Sequence, residues 1–258
     1  MKSTLVKTPC PYAHNLLDNS DFTNPVNQRW KTKYTTGWGY TLDRWYLGDN
    51  RGAGEEAQAL EIVSGGVKLS GNHVALVQRL PLLDGTKTYT AAYMRSDGTI
   101  NCRTLLGSDV NQADLGYAQI PVVTQPETIV WAALYEGIYT ADTLPPYVPK
   151  GFAAELAECR RYYVDLGRYT IVSMDMWNTY YSTVVLPVPM RSIPTITLKN
   201  PVTKAAGTIG KWDGSGTFVD FTGFIIASLT NLCFVVSSNG KFGSNALYTF
   251  MATASADL

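Results

Sequence analysis

From about residue 15 to residue 149 the chain falls into short runs of Val, Ile, Thr, Tyr and Leu, separated by Gly, Asn and Asp. Such runs predict strands, because branched and aromatic side chains suit a pleated surface while Gly and Asn tolerate the dihedrals of tight turns. Ala59-Leu60-Glu61-Ile62-Val63 stops at Ser64-Gly65-Gly66, and Thr88-Tyr89-Thr90-Ala91-Ala92-Tyr93-Met94-Arg95 stops at Ser96-Asp97-Gly98. Residues 73–80 alternate apolar and polar over part of their length. Further strands are expected over Ile100–Leu106, Tyr117–Val123 and Thr128–Glu136. A strict period of two places Ile129, Trp131, Ala133 and Tyr135 of the last run on one face. About eight strands in this space predict a jelly-roll β-sandwich.

Pro145-Pro146-Tyr147-Val148-Pro149 reads as a stiff extended linker, since each proline fixes its own φ and pushes the preceding residue out of the helical region. Residues 151–164 then give the best helical pattern in the chain. Phe152, Leu156, Cys159 and Tyr163 recur at near-helical spacing, with Glu155 and Glu158 opposite Arg160 and Arg161. Strand-like runs return at 168–173, 180–186, 195–198, 218–221, 223–227, 232–237 and 248–254. The expected architecture is all-β: an attachment segment over 1–14, a jelly roll over 15–149, a connecting helix over 150–167 and a smaller C-terminal β-sandwich domain over 168–258. A fixed internal period, a heptad seam and low-complexity runs are all missing, which excludes a solenoid or a coiled-coil shaft within these residues.

The 258 residues carry 21 basic and 21 acidic side chains, so the formal charge is zero. A balanced chain without a basic stripe is not expected to bind nucleic acid. Residues 221–236 look apolar but are broken by Thr222, Gly223, Ser228, Thr230 and Asn231, so no membrane insertion is expected. The first ten residues lack the apolar core of a secretory signal, which predicts synthesis in a reducing cytoplasm. Cys10, Cys102, Cys159 and Cys233 are far apart and form no metal-ligand spacing, and they read as buried structural thiols. His14 and His73 flank no recognisable nucleophile. No cofactor and no metal are expected, and no enzyme is indicated.

Three segments resemble those of bacteriophage and prophage tail proteins. Asn15-Leu16-Leu17-Asp18-Asn19-Ser20-Asp21-Phe22, with Pro25-Val26-Asn27-Gln28-Arg29 and Leu42-Asp43-Arg44-Trp45, is similar to the opening of carbohydrate-binding-module-like jelly rolls in tail fibres and receptor-binding proteins. Glu155-Leu156-Ala157-Glu158-Cys159-Arg160-Arg161-Tyr162-Tyr163 resembles the helix that closes that module. Leu186-Pro187-Val188-Pro189-Met190-Arg191-Ser192-Ile193-Pro194-Thr195 resembles the start of a distal β-domain. The resemblance implies a virion appendage, commonly homotrimeric, that presents β-domains to a host surface polysaccharide. It also implies docking onto other virion proteins through residues near the N-terminus. Tail and capsid placements both remain open, including a head-fibre, decoration or connector role.

Candidate chemistry follows from that expectation. Sugars are apolar on their faces and polar at their rims, so binding sites set aromatic rings beside hydrogen-bonding groups. Trp30, Tyr34, Trp38 and Tyr40 lie in a Gly- and Thr-rich stretch expected to be exposed, and they are the candidate carbohydrate-binding residues. The alternative is that some of these rings cover the sandwich edge. Trp45 is expected in the core. Met176, Trp177 and Tyr180, with Trp212 beside a hairpin turn, are candidates for a distal tip or a trimer contact. A polysaccharide depolymerase would need two carboxylates over a groove. The nearest pairs, Asp18 with Asp21 and Asp43 with Asp49, read more simply as turn and capping residues.

Overall fold

The structure is a computed structural model and describes residues 13–35, 38–49, 57–172, 181–238 and 246–257. It is almost entirely β, with antiparallel sheets arranged as sandwich-like bodies. The chain divides between Leu156 and Ala157 into two compact units, and each is described by itself.

The first unit contains β1 (Lys33–Tyr34), β2 (Gly39–Tyr40), β3 (Trp45–Asp49), β4 (Ala59–Val63), β5 (Gly66–Ser70), β6 (Val74–Leu80), β7 (Thr88–Arg95), β8 (Ile100–Leu106), β9 (Asn111–Gln112), β10 (Tyr117–Val123) and β11 (Thr128–Glu136). They form a six-stranded sheet, ordered β1-β4-β5-β11-β7-β8, and a five-stranded sheet, ordered β2-β3-β6-β10-β9. Neighbours far apart in sequence, such as β3 beside β6 and β5 beside β11, give the expected jelly-roll sandwich, with eleven strands among the described residues in place of about eight because β1, β2 and β9 are two-residue strands too short to read as runs. Leu17, Phe22, Trp45, Leu47, Leu60, Leu76, Ile120 and Leu134 fill the core. Trp45 is fully buried, as expected, and donates its indole N–H to the Asn19 carbonyl at 2.7 Å.

Strand β11 corrects the simple period of two. A register shift between Ile129 and Trp131 against β7 turns the strand over, as a β-bulge does. Ile129, Ala132 and Leu134 therefore face the main core, while Trp131, Ala133 and Tyr135 form a second cluster on the opposite face. That second face is covered by Tyr139, Leu144 and Tyr147. The proline-rich segment is thus packed against the first unit and is not a free linker: Tyr147 stacks on Trp131 with centroids 4.7 Å apart and planes 4° from parallel.

The chain between the units also departs from its pattern. A short helix, α1 (Gly107–Val110), precedes it within the first unit, and α2 spans only Phe152–Cys159. Bonds from Arg161 N–H to the Glu158 carbonyl and from Tyr162 N–H to the Cys159 carbonyl tighten the end of α2 into a turn. Tyr163, expected on the helix, begins a strand. Cys159 is buried and Leu156 half-buried as the stripe predicts, but Phe152 is 46% exposed and Glu155 is buried in its place, so the covered side of α2 only partly follows the expected apolar stripe.

The second unit contains β12 (Tyr163–Val172), β13 (Tyr181–Val185), β14 (Thr195–Lys199), β15 (Ile209–Trp212), β16 (Phe218–Phe221), β17 (Phe224–Ala227), β18 (Cys233–Ser238) and β19 (Leu247–Ser255). Strand β15 was not apparent from the sequence. β19 pairs with β12 along its length, and it also pairs with β14 and then β15 in succession. A second sheet runs β13-β18-β17. Val184, Leu198, Ile209, Phe234, Val236, Tyr248 and Phe250 make the core. Cys159 is buried as expected, Cys102 and Cys233 are only half-buried, and Cys10 lies outside the described residues. Met176, Trp177 and Tyr180 lie outside the described residues.

Candidate functional site

The opening segment is held by side-chain amides. Asn15 accepts the N–H groups of Leu17 and Leu134 and donates to Ser20 Oγ and the Ala132 carbonyl. Asn19, with φ of 51°, accepts from Val26 N–H and donates to the carbonyls of Val26 and Asp43. Gln78 exchanges two 2.8 Å bonds with the backbone of Asp18. Buried amides so completely satisfied fix a backbone path that no strand ladder supplies.

The carboxylates weighed for catalysis are engaged in the same framework. Asp18 sits between Arg44 and Lys150, each at 3.2 Å. Asp21 accepts from the N–H and hydroxyl of Thr23. Asp43 is fully buried and accepts from Gln28 N–H at 2.6 Å, from Gln28 Nε2 at 3.1 Å and from Arg29 at 3.4 Å. The Asp49 side chain lies outside the described residues.

An aromatic face emerges on the five-stranded sheet. Because Trp45 and Leu47 point into the core, the alternate residue Tyr46 points outward. Tyr40 lies directly opposite Tyr46 in the β2–β3 ladder, and their rings meet edge to face at 5.3 Å. Trp38, 52% exposed, tilts against Tyr46 at 6.2 Å. A Cβ at Gly48 would press on Ala75 Cβ at 3.3 Å and would meet the Trp38 ring only in ordinary contact, at 3.7 Å. The Arg79 guanidinium lies over Tyr46 at 4.4 Å and over Tyr117 at 4.8 Å, and that of Arg29 lies over Tyr40 at 5.4 Å. The result is a row of rings and guanidinium groups crossing β2, β3, β6 and β10.

The structure therefore brings Trp38 and Tyr40 together and separates Tyr34 from them. Tyr34 is a correction to the expected exposed loop: it is only 4% exposed, joins the core and bonds through its hydroxyl to Asn27 Oδ1. Its place on β1, paired with β4, turns the ring inward. Trp30 is 79% exposed, with φ of 58°, and is next in the chain to Arg29. Tyr46, Arg79 and Tyr117 were not singled out from sequence. The alternation of Tyr46 with two core residues was the available signal for the first. Trp212, in the second unit, is 39% exposed at the end of β15 and meets Phe218 edge to face at 5.2 Å across the β15–β16 hairpin.

No family model matches the chain. No curated protein matches it. Among solved structures it is similar to the recombinant discoidin II of Dictyostelium discoideum, at 13% identity, with 80% of this chain and 83% of that chain covered and a TM-score of 0.21. A score that low carries no argument about the ligand of this chain.

Proposed function

We propose that this protein is a non-catalytic phage virion component, a tail fibre or other appendage, whose first unit binds a host cell-surface polysaccharide. The observation that carries the binding reading is the outward row Trp38, Tyr40, Tyr46 and Arg79, the last seated over the buried ring of Tyr117. Flat rings on a rigid sheet offer C–H stacking surfaces to successive sugars, and guanidinium donors beside them reach sugar hydroxyls. The virion role rests on the three sequence segments that resemble tail proteins. So do homotrimeric assembly and docking to other virion proteins through residues near the N-terminus.

The test is retention of the full chain on a panel of immobilised bacterial surface polysaccharides, with Trp38→Ala and Tyr46→Ala compared. Loss of retention in folded variants supports the assignment, and unchanged retention overturns it. Appearance of reducing ends during incubation would replace binding by depolymerisation. Binding to no polysaccharide, with regular placement against capsid or tail tube in virions, would favour a scaffolding role. A monomeric mass in light scattering would remove the trimer.

A further inference from the structure

The second unit contains an open cleft of about 580 Å³ whose lining includes Glu158, Arg161, Pro189, Met190, Arg191 and Asn231. It joins two segments that the aromatic face leaves unused: the end of α2 with its following turn, and the proline-rich stretch before β14. The walls are fixed to each other by backbone bonds. Arg191 N–H donates to the Arg161 carbonyl at 2.9 Å, and Met190 N–H donates to the Asn231 carbonyl at 2.8 Å. Asn231 Nδ2 returns a bond to the Met190 carbonyl at 3.2 Å.

Charge in the cleft is unequal, with two guanidinium groups facing one carboxylate. Arg191 is steadied by the Tyr162 ring, 5.7 Å from its guanidinium carbon, and by a long 3.4 Å bond from Nη1 to the Ala256 carbonyl. Arg161 meets Glu158 only at 3.5 Å, with both side chains about half exposed. An exposed pair of that geometry holds its arginine weakly, so the guanidinium is available to a better-placed acceptor. A guanidinium fork matches a carboxylate, and the volume lies within the range of small-molecule sites. Val188 and the ring of Pro189 supply an apolar surface beside these donors, with buried Met190 beneath them.

We propose that this cleft is a second ligand site for a small carboxylate-bearing ligand, with Arg161 and Arg191 holding the carboxylate; that the ligand is a saccharide of one or two residues rests on the polysaccharide reading above. The site lies in the second unit and does not depend on the aromatic face.

The experiment is calorimetric titration of the full chain with sodium glucuronate, glucose and inorganic phosphate, on the parent and on Arg161→Gln, Arg191→Gln and Trp38→Ala. Glucuronate is expected to bind where glucose does not, with each arginine substitution weakening it about tenfold and Trp38→Ala leaving it unchanged. No binding of glucuronate, or equal binding of glucose, overturns the proposal. Phosphate bound in place of glucuronate overturns the carboxylate assignment. Loss in Trp38→Ala alone would assign the binding to the aromatic face instead. Arg161 is exposed enough for its substitution to fold even where Arg191→Gln does not, and unchanged affinity in Arg161→Gln overturns the proposal by itself.

Discussion

Glu155 Oε2 accepts the backbone N–H of Asn19 at 2.6 Å, joining positions 136 residues apart. Asn19 sits in a left-handed conformation that withholds its N–H from any ladder, so a buried acceptor must come from elsewhere, and α2 delivers one. This bond explains why an acidic residue occupies the covered side of α2. Burial raises the Glu155 carboxyl above the ordinary glutamate value, opposed in part by the Asn19 bond and by the charge of Lys150.

The sign of the pH effect follows from that direction. A carboxyl whose folded pKa lies above its unfolded one binds its proton more tightly in the native state, so its contribution is present below the unfolded value and lost as pH rises through the folded one. Glu155→Gln keeps a carbonyl for Asn19 N–H and removes the buried charge. Its melting temperature is expected to fall less than that of the parent as pH rises through this window. Glu155→Ala strands the Asn19 N–H and should cost about 1–3 kcal/mol even at acidic pH. Parallel melting curves for parent and Glu155→Gln would refute the assignment.

Asp43 should behave as a framework residue. Asp43→Ala leaves Gln28 N–H and Arg29 facing an apolar methyl, with an expected loss of about 3–5 kcal/mol in urea unfolding. Asp43→Asn turns one amide N–H₂ toward a donor and should cost about 1–3 kcal/mol. A variant that kept its full stability but lost a polysaccharide-cleaving activity would show instead that Asp43 is catalytic.

Gly65 and Gly66 separate two kinds of glycine requirement in the β4–β5 turn. At Gly65 φ is 82° and no atom lies within 4 Å of an added Cβ, so Gly65→Ala should cost only the left-handed penalty of about 1–2 kcal/mol. At Gly66 a Cβ would lie 2.3 Å from the Ile129 carbonyl oxygen, where β5 meets β11. Gly66→Ala must part those strands. Thermal unfolding is expected to rank Gly66→Ala well below Gly65→Ala, and the reverse order would contradict the packing.

Legibility in the sequence followed the locality of the cause. The strands β4, β7, β8, β10 and β11 carry their signal in their own runs of branched and aromatic residues and in the turns that bound them, and they were found. What was missed depends on distant partners. The bulge in β11 is set by its pairing with β7, so Trp131 and Ile129 could not be separated by counting. Tyr34 is drawn inward by β4, and Tyr147 by Trp131, through contacts no local window contains. At the candidate face, Trp38 and Tyr40 were legible as rings beside glycine. Arg79 and Tyr117 join them only because β6 and β10 are neighbours in the folded sheet.

Tyr46 is the ring on which the aromatic face turns, since it alone among the described contacts meets Trp38, Tyr40 and the Arg79 guanidinium together. Trp38 stands at the end of the row and is half exposed, so Trp38→Ala should change stability by no more than about 0.5 kcal/mol while reducing polysaccharide retention. Tyr46→Ala removes three contacts, should cost about 1–2 kcal/mol, and should reduce retention further by releasing Arg79 from one of its two rings. Tyr46→Phe keeps the ring, and retention should return if stacking and guanidinium placement are what matter. Trp45→Ala supplies the contrast, because removing this fully buried neighbour should cost about 3–5 kcal/mol and act through folding. Equal retention in the parent, Trp38→Ala and Tyr46→Ala, each shown to be folded by circular dichroism, would leave the face a structural cover and move the search for the ligand elsewhere.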